Sequence, residues 1–161
     1  MQPDAIIELM KDPIAQELVT APIHARLAYS ARDGSPRVIP IGYLWNGEAF
    51  VMASPVNSPK VKALTANPRV AITIDTNSFP PHVLLVRGNA ALEVVDGVPD
   101  EFVEASRRFV GAENMPAWDA GVRALYKQMV IIRVTPTWAK IFDFETRLPS
   151  PVEELIKGST Y

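Results

Sequence analysis

Two turn dipeptides, Asp33-Gly34 and Asn46-Gly47, punctuate one apolar stretch between Ile23 and Ser54 and restrict what that stretch can become. Such pairs suit tight turns with positive φ, which join antiparallel strands. A parallel pair needs a crossover of a dozen residues or more, and the spacing leaves no room for one. The pattern therefore predicts strands over 23–31, 37–45 and 49–54 in a meander. Around it the chain is ordinary for a soluble domain: 161 residues, 48% hydrophobic, 21% charged, long enough for a real core. No internal repeat, low-complexity run or linker divides it, so a single domain over 1–161 is expected, with a core from about 20 to 145 and a tail over 146–161.

The net charge of -2, with 16 basic and 18 acidic residues mixed along the chain, offers no footprint for nucleic acid or an anionic membrane. A small-molecule ligand is the expected partner. No apolar run is long enough to span a bilayer and Met1-Gln2-Pro3-Asp4 lacks the order of a secretory signal, so a cytoplasmic location is expected. Absence of cysteine removes thiolate chemistry and Cys-ligated metals. The only imidazoles, His24 and His82, lack the spacing of a zinc motif, and no Gly-x-Ser-x-Gly elbow supports a serine triad. No metal site is expected, and no residue is assigned as a catalytic acid or base.

The best place for chemistry is Ala53 to Leu64, where a strand runs into a helix that opens with hydroxyls and a lysine. Ser54 ends the strand, Ser58 takes the N-cap position and Pro59 the first helical position, where its missing N–H costs nothing. The free amides and positive dipole end of such a helix favour an anion, and Lys60 adds a full charge. With Val61 and Leu64 buried, Lys60 lies about 40° from Leu64 and leans over the rim of the core, while Lys62 meets solvent. The competing reading is an ordinary capped helix with a solvated lysine.

Elsewhere, residues 4–20 read as a helix interrupted at Pro13. Arg69 to Asp75 alternates as a half-buried strand, and Val83 to Val95 reads as a long strand with Arg87, Asn89 and Glu93 on one face. Gly88 in its middle implies a bend or a close backbone approach. Helices are expected from about Pro99 to Phe109 and after Asn114, the latter carrying Trp118, Val122, Leu125 and Met129. Two strands follow, Val130 to Thr135 and Trp138 to Phe144, split by Pro136, and then a short helix around 152–156. The fold class is thus mainly β: an antiparallel barrel with an N-terminal helix and two covering helices near 99–128.

The ordered pieces SPRVIPIGYLW, SPKVKALTANPRVAI and VRGNAAL resemble the pyridoxamine 5'-phosphate oxidase-like family of FMN-binding split barrels, over roughly residues 20–145. The resemblance implies a split β-barrel and an FMN-dependent oxidoreductase acting on a small organic substrate. It also admits two alternatives, a deazaflavin-dependent reductase and a non-catalytic flavin- or haem-binding module. It carries the phosphate lysine onto Lys60, the neighbouring hydroxyl onto Ser54, with Ser58 beside it, and the arginine of the second strand onto Arg37. A deazaflavin, with its more acidic tail, would draw on Lys60, Lys62 and Arg69. The chain has Pro59 where many flavin-binding relatives carry arginine, and Gly42 where the oxidases proper carry lysine, which argues against pyridoxamine phosphate as substrate.

The resemblance also makes sense of Pro40 inside a strand, since a proline there leaves backbone free to face a ligand, and Val38, Ile39 and Pro40 become a wall for a flat ring. An edge strand guarded by proline against aggregation is the competing reading. Trp138 stands where the family often sets an aromatic of the partner subunit beside the flavin, although a core or interface tryptophan fits as well. Split barrels of this kind are homodimers with cofactor sites at the subunit boundary, and the apolar run Ile39 to Trp45 exceeds what one barrel interior needs.

Overall fold

In the computed structural model, which describes residues 1–159, both turn dipeptides make the turns their chemistry predicts. Gly34 and Gly47 take φ of 82° and 99°, and Asn46 Oδ1 accepts bonds from the amides of Glu48 and Ala49 at 3.0 and 2.8 Å. The run between them is not one strand, however. Strand β1 (Ala25–Ser30) pairs with β2 (Pro36–Ile41), whereas β3 (Leu44–Trp45) pairs with β4 (Phe50–Pro55). Strands β5 (Arg69–Asp75), β6 (Val83–Asp96) and β7 (Gln128–Phe142) complete a fully antiparallel sheet in the order β2-β1-β5-β6-β7-β4-β3.

That order places β2 and β3 at opposite ends of the sheet, yet only Gly42 and Tyr43 separate them in the chain. Three residue steps reach at most about 10 Å, so the sheet must curl until its two ends meet. The result is a split barrel rather than a flat meander. Tyr43, fully buried, holds the crossover: its hydroxyl donates to Leu18 O at 3.1 Å, and Arg108 donates to its carbonyl while lying over its ring at 4.4 Å. Burial pushes the Tyr43 phenol up to about 12, with Arg108 opposing the shift.

Helices α1 (Pro3–Met10) and α2 (Pro13–Thr20) plug the barrel. The break between them falls where Pro13 predicts it, and Asp12 caps the second helix through Ile14 N at 2.9 Å. Ile6, Met10 and Leu18 meet Leu27, Ile72, Leu84 and Ile132 in the main core. Helix α3 (Pro59–Ala66) follows β4, and α4 (Asp100–Val110) and α5 (Met115–Leu125) lie over the outer side of β4 and β7. Met129 belongs to β7 rather than to α5 and is buried there with Ala53, Val103 and Met115, while Leu125 is exposed.

The two strands expected around Pro136 are a single strand. A bulge absorbs the proline: Arg87 faces Trp138 and Gly88 faces Pro136, leaving Thr137 unmatched. Gly88 is required at this point, because a Cβ there would sit 2.5 Å from Thr135 O and 2.9 Å from a Val134 methyl. Strand β7 ends at Phe142, since Phe144 turns to φ 58°. Helix α6 (Ser150–Gly158) closes the description, and the last two residues of the expected tail lie outside the described residues. No helix among the described residues is long and apolar enough to cross a membrane.

Candidate functional site

The start of α3 sits where the sequence puts it, but its first turn is not capped as expected. Ser58 has extended backbone at the N-cap position and Pro59 follows, yet the Ser58 side chain makes no capping bond. Its Oγ is instead 2.7 Å from Oγ of Ser54, which is 1% exposed at the end of β4. The strand and the helix are therefore tied by their hydroxyls; Pro59 has no N–H, the Val61 amide donates to the Ser58 carbonyl at 3.1 Å, and no side chain caps the helix. Lys60 is half-buried and, among the described residues, has no hydrogen-bond or ion-pair partner, while Lys62 is exposed. Burial lowers the Lys60 pKa from its ordinary value. A partly desolvated ammonium beside two serine hydroxyls at the positive end of a helix is a donor set that fits a phosphate.

Strand β2 is an edge of the sheet order, which explains how it carries Pro40. Alternation turns Val38 and Pro40 outward, Val38 being 64% exposed, and sets Ile39 against the core. Arg37 and Val38 border a cleft of about 650 Å3 that runs across the outer side of β2, β1, β5 and β6. Its floor is small and apolar where Ala28 faces both Val38 and Ala71 in register, and its rim carries Arg37, Arg69 and Arg87 with Asn67 and Asn89. Trp138, in register with Arg87, lies under that guanidinium at 4.5 Å.

The predicted residues thus fall into distinct places. Ser54 and Ser58 touch, with Lys60 two residues after Ser58 in the first turn of α3; Arg37 and Val38 share the large cleft; Trp138 adjoins it through Arg87. Pro40 borders a smaller hollow of about 380 Å3 with His24, Arg26 and Asp75. The cleft lining includes none of Ser54, Ser58 and Lys60. Arg87 and Asn89 were legible as one face of a strand, but nothing local in the sequence says that this face continues onto β2.

No Asp, Glu or His lines the cleft. His24 stacks on Phe109 at 4.0 Å, and His82 Nδ1 is 2.8 Å from a Glu17 carboxylate oxygen, so both imidazoles are engaged elsewhere. Among the described residues no group of His, Asp and Glu is placed to hold a metal ion.

Residues 12–141 match the pyridoxamine 5'-phosphate oxidase family model. No curated protein matches the chain. Among solved structures, an F420 reductase is similar at 27% identity and TM-score 0.62, covering 78% of this chain and 94% of that one. A FAD-binding protein from Mesorhizobium loti is 22% identical at TM-score 0.51, covering 78% of this chain and 89% of its own. A heme binding protein from Mycobacterium smegmatis is 17% identical at TM-score 0.56, covering 83% of this chain and 54% of its own. The last two likenesses are of fold.

Proposed function

The chain belongs to the pyridoxamine 5'-phosphate oxidase family, and on that footing we propose that it is an FMN-dependent oxidoreductase acting on a small organic substrate other than pyridoxamine phosphate. The observation that carries this reading is Lys60, a half-buried cation without a partner among the described residues, two residues along the chain from Ser58 of the Ser54–Ser58 hydroxyl pair. Ser54, Ser58 and Lys60 hold the cofactor phosphate together with the amides of α3. Val38 and Pro40, with the backbone of Ile39 between them, wall the ring, Arg37 adds charge at its side, and Trp138 contributes an aromatic surface from the outer side of β7. The bound flavin would supply the hydride chemistry, while the protein orients it and excludes water. The exposed Val38 and the bare outer side of β2 and β1 support a homodimer with the cofactor at the subunit boundary.

Adding FMN to the purified protein tests this. A perturbed flavin absorption spectrum at one FMN per chain, in a particle of twice the chain mass, is the expected result. An unperturbed spectrum at saturating FMN rejects it.

A second reading has its own observation. Arg69 and Arg87 carry more positive charge than a single phosphate needs, and the F420 reductase is the 27% identical neighbour. F420 is a deazaflavin with a longer, more acidic tail, which such charge would suit. A competition titration separates the two cofactors: displacement of FMN by F420 at much lower concentration favours the deazaflavin-dependent reductase. The flavin- or haem-binding module without turnover rests on likeness of fold alone.

A further inference from the structure

Half of this protein's ten arginines are paired with carboxylates within the chain. Arg26 pairs with Asp75, Arg107 with Glu104, Arg123 with Asp100 and Asp119, Arg133 with Glu93, and Arg147 with Asp12. Arg108 is held by the carbonyls of Val19 and Tyr43. Arg32, Arg37, Arg69 and Arg87 differ: among the described residues none has a carboxylate partner, and the last three border one cleft that no acid lines. Asp33 feels the charge of Arg37 but directs its carboxylate to Ser35 at 2.5 Å.

The register sharpens the contrast. Arg69 faces Asn89 and Ala71 faces Arg87, so the two guanidiniums are diagonal neighbours on one face of adjacent strands. Like charges so placed repel, and no carboxylate lines the cleft to relieve it. Arg69 Nε reaches only the Asn67 side-chain oxygen at 3.3 Å, and Arg87 rests on the Trp138 ring at 4.5 Å, which leaves guanidinium edges of both free. Planar forks of this kind match carboxylate and phosphate oxygens in pairs. The same cleft is floored by the small residues Ala28, Ala71 and Gly88.

We propose that this cleft is a second anion site, separate from the head of α3, and that it holds a substrate with two or more acidic groups, carboxylate or phosphate, on a flat apolar body. The proposal rests on the cofactor reading in one respect: the substrate lies beside a ring walled by β2, whose Arg37 and Val38 belong to both places. Arg69 and Arg87 grip the acidic groups, and the small floor accepts the body.

Calorimetric titration at low salt with citrate and with inorganic pyrophosphate, on the full chain, tests it. Both probes should bind the wild type, and the double variant R69Q/R87Q should weaken them at least tenfold, while Lys60→Ala changes them less than twofold. Trp138 fluorescence should respond in the wild type and not in W138F, which still binds. FMN affinity is measured in the same variants and should move less than threefold in R69Q/R87Q. Absence of binding by either probe overturns the proposal, as does binding lost in Lys60→Ala and kept in R69Q/R87Q. An FMN affinity that falls as far in R69Q/R87Q as in Lys60→Ala also overturns it, because the cleft would then hold the cofactor phosphate. Probe binding of the expected pattern in a protein that takes no FMN supports the anion site and rejects the cofactor reading alone.

Discussion

The outer surface of this sheet has two halves that treat charge in opposite ways. Over β4 and β7 it is covered by α4 and α5, with Ala53, Val103, Met115 and Met129 buried beneath them. Arginines around that cover have acidic partners: Arg123 with Asp100 and Asp119, Arg107 with Glu104, and Arg133 with Glu93. Over β2, β1 and β5 the sheet is bare, Val38 is exposed, and although Arg26 pairs with Asp75, Arg37, Arg69 and Arg87 have no carboxylate partner among the described residues. The covered half gives Arg107, Arg123 and Arg133 their carboxylates, as a stabilising cover does. The other leaves cations incomplete beside an apolar floor, which makes sense when something else completes them.

The largest break in the covered half comes from hollowing it. Met129→Ala removes a fully buried side chain and should cost about 2–5 kcal/mol of unfolding free energy. Ala71→Ser on the bare half should stay within about 0.5 kcal/mol. Denaturant midpoints check both, and equal losses would erase the contrast.

Next in size is Lys60→Ala, which should weaken FMN by about 1.5–3 kcal/mol, the scale of a charged hydrogen bond. Its unfolding midpoint without FMN should hold or rise slightly, because burial already disfavours the charged lysine, as its lowered pKa records. An unchanged dissociation constant would remove Lys60 from the site.

Acid offers a third test, through a carboxylate that accepts four hydrogen bonds. The Asp143 carboxylate accepts from the Thr146 hydroxyl at 2.6 Å and from the amides of Glu145, Thr146 and Arg147 at 2.8–2.9 Å. These bonds, the Thr146 hydroxyl first, hold its pKa well below the usual carboxylate value. Its contribution is therefore complete above about pH 4 and lost as the pH falls further toward the folded-state pKa. The unfolding temperature of the wild type should drop more steeply between pH 4 and 2 than that of Asp143→Asn. Parallel slopes would show that other carboxylates set the acid limit.

The smallest effect is the most direct comparison of the two halves. Arg123→Gln should lower the unfolding temperature by a few degrees at most, as exposed ion pairs do. Arg87→Gln should lower it less, since it relieves repulsion as it gives up a ring contact. Finding Arg87 the more stabilising of the two would mean that its charge is already satisfied.

Much of the fold was legible in short stretches. The Asp-Gly and Asn-Gly turns, the break at Pro13, the Pro59 start of α3, the alternation of β5 and β6 and the need for glycine at position 88 all depend on neighbours within a few residues. Such backbone and capping preferences act wherever the chain lies. The serine and lysine at the head of α3 were visible for the same reason, although the choice of Ser58 to bond Ser54 rather than its own helix was not. Packing alone decided that Gly42 and Tyr43 carry the chain from one end of the sheet to the other, and that Pro136 is absorbed in a bulge instead of ending a strand. It also decided which arginines found acids. A strand's sequence states which residues share a face, but burial of the whole apolar surface chooses the strand beside it, and only that choice brought Arg37, Arg69 and Arg87 to one cleft.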